Sequence, residues 1–220
     1  MSETYISVEQ QGAVATVWLE RPEVHNAFNA DLIRQLKDCF VALNQRDDVR
    51  VVVLAGRGKS FSAGADLNWM KAAGAASEAE NQADAQNLAD MLYALATLKQ
   101  PTIARVQGAA MGGGMGLASA ASHTIVTETT LMAMPEISIG LYPDAGGTWF
   151  LQHFPFGSGV FLGLTGARFN GSDALLGNVA AASRPANSRA ATLQAFVAAD
   201  WQGEAQNVVR RVLNGLEGAD

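Results

Sequence analysis

The sequence predicts a single α/β domain, and three observations carry that reading. Strand, glycine turn and helix follow one another twice along the chain, an alternation that builds α/β sheets with their sites at the strand ends. The strand segments are apolar almost throughout, as expected when helices cover both faces of a sheet. Hydrophobic residues make up 49% of the 220 and charged residues 16%, too apolar a balance for a disordered chain, and the length requires no second domain.

Residues 13–19, AVATVWL, are β-branched and apolar and read as a buried strand closed by Arg21-Pro22. From Asn29, available as a cap, NADLIRQLKDCFVALNQ sets Leu32, Leu36, Phe40 and Leu43 on one helical face, with Cys39 on its buried side. RVVVLA at 50–55 is a second strand, ending at Gly56. The glycine-bearing segment GRGKSFSAGADLNWM leads into a helical region from about Glu78 to Lys99, which Pro101 stops. The plan then repeats: TIARVQG is a strand, and AAMGGGMGLASAA opens a helix of small residues on three consecutive glycines. After the strand HTIVT, the Pro and Gly residues of LMAMPEISIGLYPDAGGTWFLQHF predict an ordered loop, followed by helical pieces. Residues 181–190, AASRPANSRA, read as a solvated connection, and Val208, Val209, Val212, Leu213 and Leu216 give a last helix. The expected division is a core over 1–180 and a short C-terminal helical segment over 181–220.

Charge and composition exclude several functions. The net charge of -6 and a pI near 5.0, with 15 scattered Lys and Arg, argue against a phosphate-tracking surface, so no nucleic-acid partner is expected. No basic leader precedes an apolar stretch and no run approaches the roughly 18 apolar residues of a membrane span, so a cytoplasmic location without a membrane partner is expected. Cys39 is the only cysteine, and His25, His123 and His153 are dispersed, so neither a disulfide framework nor a metal site is expected. Trp18, Trp69, Trp149 and Phe61 read as core or pocket wall, and Met111, Met115, Met132 and Met134 as fillers of irregular space.

The chemistry sits at the two glycine turns. Glycines at 112–114 let a helix N-terminus bring free N–H groups close to an anionic ligand. The spacing fits neither a dinucleotide fingerprint nor a P-loop, and an isolated GGG more often serves helix packing. A second turn, SAGADL at 62–67 at the end of the other strand, changes the balance, because two separate turns can aim two donors at one oxygen. That arrangement stabilises an oxyanion developing on a thioester.

Four segments in register, ERPEVHNAFN, FSAGADL, RVQGAAMGGGMGL and MPEISIGLYPDAGG, resemble the crotonase (enoyl-CoA hydratase/isomerase) superfamily over residues 5 to about 180. The resemblance implies a fold of repeated ββα units, here with a shortened C-terminal helical region. It also implies an acyl-CoA substrate with no cofactor beyond its CoA moiety, and a homo-oligomer, a trimer or dimer of trimers. It assigns the oxyanion hole to the N–H groups of Ala65 and Gly113, and it borders the ligand with Ala27, Ala63, Gly64, Asp66, Gly112 and Gly114.

Within that superfamily, common hydratases carry two glutamates, and this chain has Gly116 at the first position and Glu136 at the second. GGGMGL through MPEISIGLYPDAGGTWF resembles 3-hydroxyisobutyryl-CoA hydrolases, including Asp144 eight residues after Glu136. This implies hydrolysis of a short branched 3-hydroxyacyl-CoA, with Glu136 reactive and Asp144 positioning the substrate hydroxyl. Residues 16–107 instead resemble the methylglutaconyl-CoA or carboxygeranoyl-CoA hydratase branch. Asn87 stands where the hydrolases offer a glutamate. Enoyl-CoA hydration, or acyl-CoA binding with weak catalysis, are the alternatives.

Overall fold

The computed structural model describes residues 3–215. Strands β1 (Ile6–Gln11) and β2 (Val14–Leu19) form an antiparallel hairpin through Gly12, whose φ of +56° suits glycine. Helix α1 (Ala30–Leu43) returns to β3 (Val51–Gly56), parallel to β2. Asn29 caps α1 as its sequence position predicts, its Oδ1 accepting from Leu32 N at 2.8 Å. Two helices follow, α2 (Leu67–Ala73) and α3 (Glu78–Ala96), the second opened by a capping box between Ser77 and Glu80. Strand β4 (Thr102–Arg105) joins β3 in parallel, and β5 (Ala109–Met111) then hands over to α4 (Gly113–Ala120). Strands β6 (His123–Val126) and β7 (Leu131–Ala133) are followed by a 3-10 turn, Pro135–Ile139, and by α5 (Gly147–Phe150) and α6 (Ser158–Thr165). The chain continues through β8 (Phe169–Asn170), α7 (Gly171–Leu176), β9 (Ala182–Ser183), α8 (Arg189–Val197) and α9 (Ala205–Gly215). The ββα repeat is plain in β1-β2-α1 and β4-β5-α4.

Six strands form one sheet in the order β1-β2-β3-β4-β6-β9, parallel except for β1, and β5-β7-β8 form a second. The continuous apolar run of β3 follows from its central place. Val52 and Leu54 point into a core shared with Leu32, Leu36 and Phe40 of α1, while Val51 and Val53 point to the opposite face, against Phe196, Val209 and Leu213 of α8 and α9. The edge strand β1 escapes the sequence pattern because only one side of it is paired and most of its residues are exposed.

One expectation needs correction. Residues 181–190 are not a solvated connection: β9 pairs with β6 through Ile125↔Ala182 and Val126↔Ser183. Arg184 is buried there, its Nη2 donating to the Leu213 carbonyl at 2.7 Å. The segment from 181 onward therefore completes the main sheet and covers one of its faces. Val208, Val209 and Leu213 are buried as the helical spacing of the last segment predicts, and Leu216 lies outside the described residues. No helix among the described residues is long and apolar enough to cross a membrane, and none of them group as three or more His, Cys, Asp or Glu able to hold a metal.

Candidate active site

The two glycine turns are stitched together by backbone bonds that leave particular N–H groups over. The turn after β2 runs alongside the SAGAD segment: Ala63 N donates to His25 O (2.9 Å), Phe28 N to Gly64 O (2.7 Å) and Asp66 N to Phe28 O (2.8 Å). Gly64 N donates to Ser62 Oγ at 3.2 Å, and among the described residues Ala65 N–H has no acceptor. Asn26, fully buried with φ +55°, holds the turn: its Nδ2 donates to the carbonyls of Arg57 (3.0 Å) and Ser60 (2.9 Å), and its Oδ1 accepts from Arg21 N (2.9 Å). Sequence reasoning missed Asn26, whose position just before Ala27 in HNAF was its only signal.

The GGG turn docks on the first. Met111 N donates to Ser62 O at 3.0 Å, and Gly112, at φ +50°, precedes α4. Gly113 is the first residue of α4, so its N–H lies in the unsatisfied first turn and has no acceptor among the described residues. Glycine is required here for closeness. A Cβ on Gly114 would come within 2.5 Å of Ser62 O, and one on Gly64, itself at φ +83°, within 2.5 Å of Met111 O and 3.4 Å of Gly113 N. Two donors left over from separate turns are thereby brought to one place.

The acidic side comes from the next unit. Strand β7 runs parallel to β5, and Gly112 N donates to Ala133 O at 2.9 Å, which sets the Pro135–Ile139 turn beside the glycines. Glu136 is buried there, Oε2 has no partner, and Oε1 lies where a Gly112 Cβ would be only 2.5 Å away. Burial raises its pKa, and the neighbouring Asp144 charge adds to the shift. Asp144 is also raised by partial desolvation, although the residue as a whole remains exposed at the cavity mouth.

A cavity of about 210 Å³ joins these parts: Ala63, Gly64, Ala65, Gly112, Gly113, Glu136 and Asp144 all line it. Phe28, Trp69 and Leu88 complete its apolar wall, of which sequence reading had proposed only Trp69. Three other candidates lie outside the lining. Ala27 is buried with its carbonyl accepting from Arg21 Nη1 (2.5 Å), Gly114 is packed on Ser62, and Asp66 caps α2. The Asp66 carboxyl accepts from Asn68 N (2.9 Å) and pairs with Arg21 (3.2 Å), and these contacts hold its pKa down. Asn87 also lies away from the cavity, accepting from Lys37 Nζ at 3.1 Å. Cys39 lies outside as well, its thiol pushed up to about 11 by burial. His25 bonds Ser60 Oγ at 3.0 Å, and Trp69 Nε1 donates to Asp84 at 3.1 Å, tying α2 to α3.

A fold of ββα units in which two unpaired backbone N–H groups and a buried carboxylate line one cavity defines a protein of the crotonase class. The chain belongs to the enoyl-CoA hydratase/isomerase family, whose model matches residues 14–219. Among curated proteins it is similar to 3-hydroxyisobutyryl-CoA hydrolase, mitochondrial, from Gallus gallus, 34% identical over 80% of this chain and 46% of that one. It resembles probable 3-hydroxyisobutyryl-CoA hydrolase 2 from Arabidopsis thaliana to the same degree, 34% over 79% and 46%. The chain thus spans less than half the length of these relatives. Among solved structures it resembles a putative enoyl CoA hydratase/isomerase (crotonase) from Legionella pneumophila, with TM-score 0.84, 28% identity, and 99% of this chain and 83% of that one covered. A carnitinyl-CoA dehydratase from Mycobacterium thermoresistibile gives TM-score 0.85 and 30% identity, covering 89% and 58%.

Proposed function

We propose that the protein hydrolyses a short, branched 3-hydroxyacyl-CoA thioester. The observation that carries this reading is the acid set of the cavity: among the described residues Glu136 and Asp144 are its only titratable lining groups, and Gly116 supplies no second glutamate. In the reaction, water attacks the thioester carbonyl while Glu136 takes its proton, and the N–H groups of Ala65 and Gly113 hold the oxyanion. The C–S bond then breaks and the proton passes to the departing CoA sulfur. The raised pKa of Glu136 suits a general base, since it brings the group nearer the working pH. Asp144, exposed at the mouth, accepts a hydrogen bond from the substrate hydroxyl. Backbone donors of this kind are each worth about 100- to 1,000-fold in rate.

The reading needs no cofactor beyond the substrate's CoA. We place the protein in the cytoplasm, which its single cysteine supports, and read it as a homo-oligomer, a trimer or dimer of trimers. The exposed apolar residues Phe156, Val160, Phe161 and Leu164 support self-association. Light scattering on the purified protein tests the oligomer. The activity is tested by offering 3-hydroxyisobutyryl-CoA, 3-hydroxypropionyl-CoA and short enoyl-CoA esters, following free thiol and enoyl absorbance together. Thiol release from the hydroxyacyl esters is expected. Loss of enoyl absorbance with no thiol release would replace hydrolysis by hydration, as the hydratase-like N-terminal half suggests. Acyl-CoA binding without turnover of either kind would make it a binding protein.

A further inference from the structure

Gly112, the residue that caps α4, and Gly116, within that helix, lie four positions apart. Each receives part of the acid-bearing segment. Glu136 Oε1 sits against Gly112, and a Cβ on Gly116 would overlap the carbonyl oxygen of Ala145 and come within 2.7 Å of its Cβ. Ala145 is one of five non-glycine residues at positive φ among the described residues, at +45°, and it directly follows Asp144. The space that a side chain at 116 would need is therefore taken by backbone, which gives way less readily than a flexible side-chain end. The same helix starts at Gly113, the oxyanion donor, so the contact ties Asp144 to that N–H through three residues of rigid helix.

We propose that Gly116 and Ala145 are a positioning pair: the left-handed turn at Ala145, seated on the bare face of Gly116, holds the Asp144 carboxylate at the mouth of the cavity opposite Glu136. Gly116 then marks more than a missing acid, since it is the seat that lets a different acid occupy the site. This rests on the reading of Glu136 and Asp144 as the working pair. Among the described residues, the only other titratable groups lining the adjoining groove of α3, α4 and residues 142–150 are the phenols of Tyr93 and Tyr142. A shift in the pH profile can therefore be traced to the two carboxylates.

The test compares Gly116→Ala, Ala145→Val, Ala145→Gly and Asp144→Asn, with the Gly116→Ala/Asp144→Asn double variant, by kcat for thiol release per folded enzyme and by its pH profile. Gly116→Ala and Ala145→Val are expected to lower kcat about as much as Asp144→Asn, on the order of tenfold or more. Both are expected to move the acidic limb of the profile to lower pH, because the Asp144 charge no longer raises Glu136. In the double variant Gly116→Ala adds less than about threefold, since coupled residues are not additive. Ala145→Gly, the conservative variant, tolerates the positive φ and keeps kcat within about threefold. Folded Gly116→Ala with full kcat and an unmoved limb, or with an effect that multiplies fully onto Asp144→Asn, overturns the proposal. If Gly116→Ala does not fold, Ala145→Val decides on the same readouts. An Asp144→Asn variant with unchanged kcat removes the assignment of Asp144 itself, and the pairing falls with it.

Discussion

Replacing Gly64 by alanine tests the joint between the two turns. Gly64 has φ +83°, a backbone that costs an L-residue roughly 1–2 kcal/mol. The new methyl would stand 2.5 Å from Met111 O and 3.4 Å from Gly113 N, and overpacking of this kind costs typically about 1–3 kcal/mol. Together these make about 2–5 kcal/mol, a large share of the ~5–15 kcal/mol that holds a domain folded, so the variant should fold with a clearly lowered denaturation midpoint. The overlap is relieved only by moving the GGG turn away from the SAGAD turn, which separates the donors of Ala65 and Gly113. Turnover per folded molecule should then fall about 100-fold or more, the usual effect of losing one oxyanion donor. Urea denaturation gives the stability, and thiol release under conditions where circular dichroism shows the variant folded gives the rate. A variant with unchanged midpoint and turnover would refute the claim that the two turns are in contact at Gly64. One that is destabilised yet fully active would separate the packing from the chemistry.

Glu136→Gln keeps the shape of the side chain, so thiol release should drop by a factor on the order of 100 or more with the fold retained, and retention of a tenth of the rate would remove Glu136 from the reaction. The same variant reports on stability: the folded pKa of Glu136 lies above its unfolded value, so the native state binds more protons and loses stability as pH rises through and above the ordinary carboxylate range. Denaturation between about pH 4 and 7 should therefore show Glu136→Gln gaining on the unmodified protein as pH rises, and a constant difference would contradict the desolvation assigned to Glu136. Arg105 is buried with Nε and Nη1 unpartnered, its pKa lowered to about 10 by desolvation first and by Arg189 second. Arg105→Met should leave stability equal or raise it by up to about 2 kcal/mol, and a melt showing a loss beyond ~2 kcal/mol would mean that the bonds from Nη2 to Pro185 O and Ala186 O outweigh the buried charge.

Local sequence signals specify structure where the cause is local. Asn29 caps α1 because its own side chain reaches Leu32 N, and the apolar runs of β2 and β3 declare strands with two covered faces. Signals failed where pairing partners lie far along the chain. β1 is an edge strand with little alternation, and β9, two residues long, is a strand only because β6 lies beside it. Arg184 shows the limit most clearly: its residue type and its Pro neighbour suggest solvent, yet a carbonyl 29 residues further on receives it in the interior.

The sequence by itself determined the α/β class, the two glycine turns and the presence of one glutamate and one aspartate on a shared loop, because glycine patterns and apolar periodicity are properties of neighbouring residues. Only the tertiary structure decided which amides remain free, since a donor is left over only when every competing acceptor has been assigned to another group. It also decided that Ala27, Asp66 and Asn87 stand outside the cavity's lining, and that the place beside Gly116 is filled by Ala145. Those outcomes depend on close approaches between segments dozens of residues apart, which no local pattern encodes.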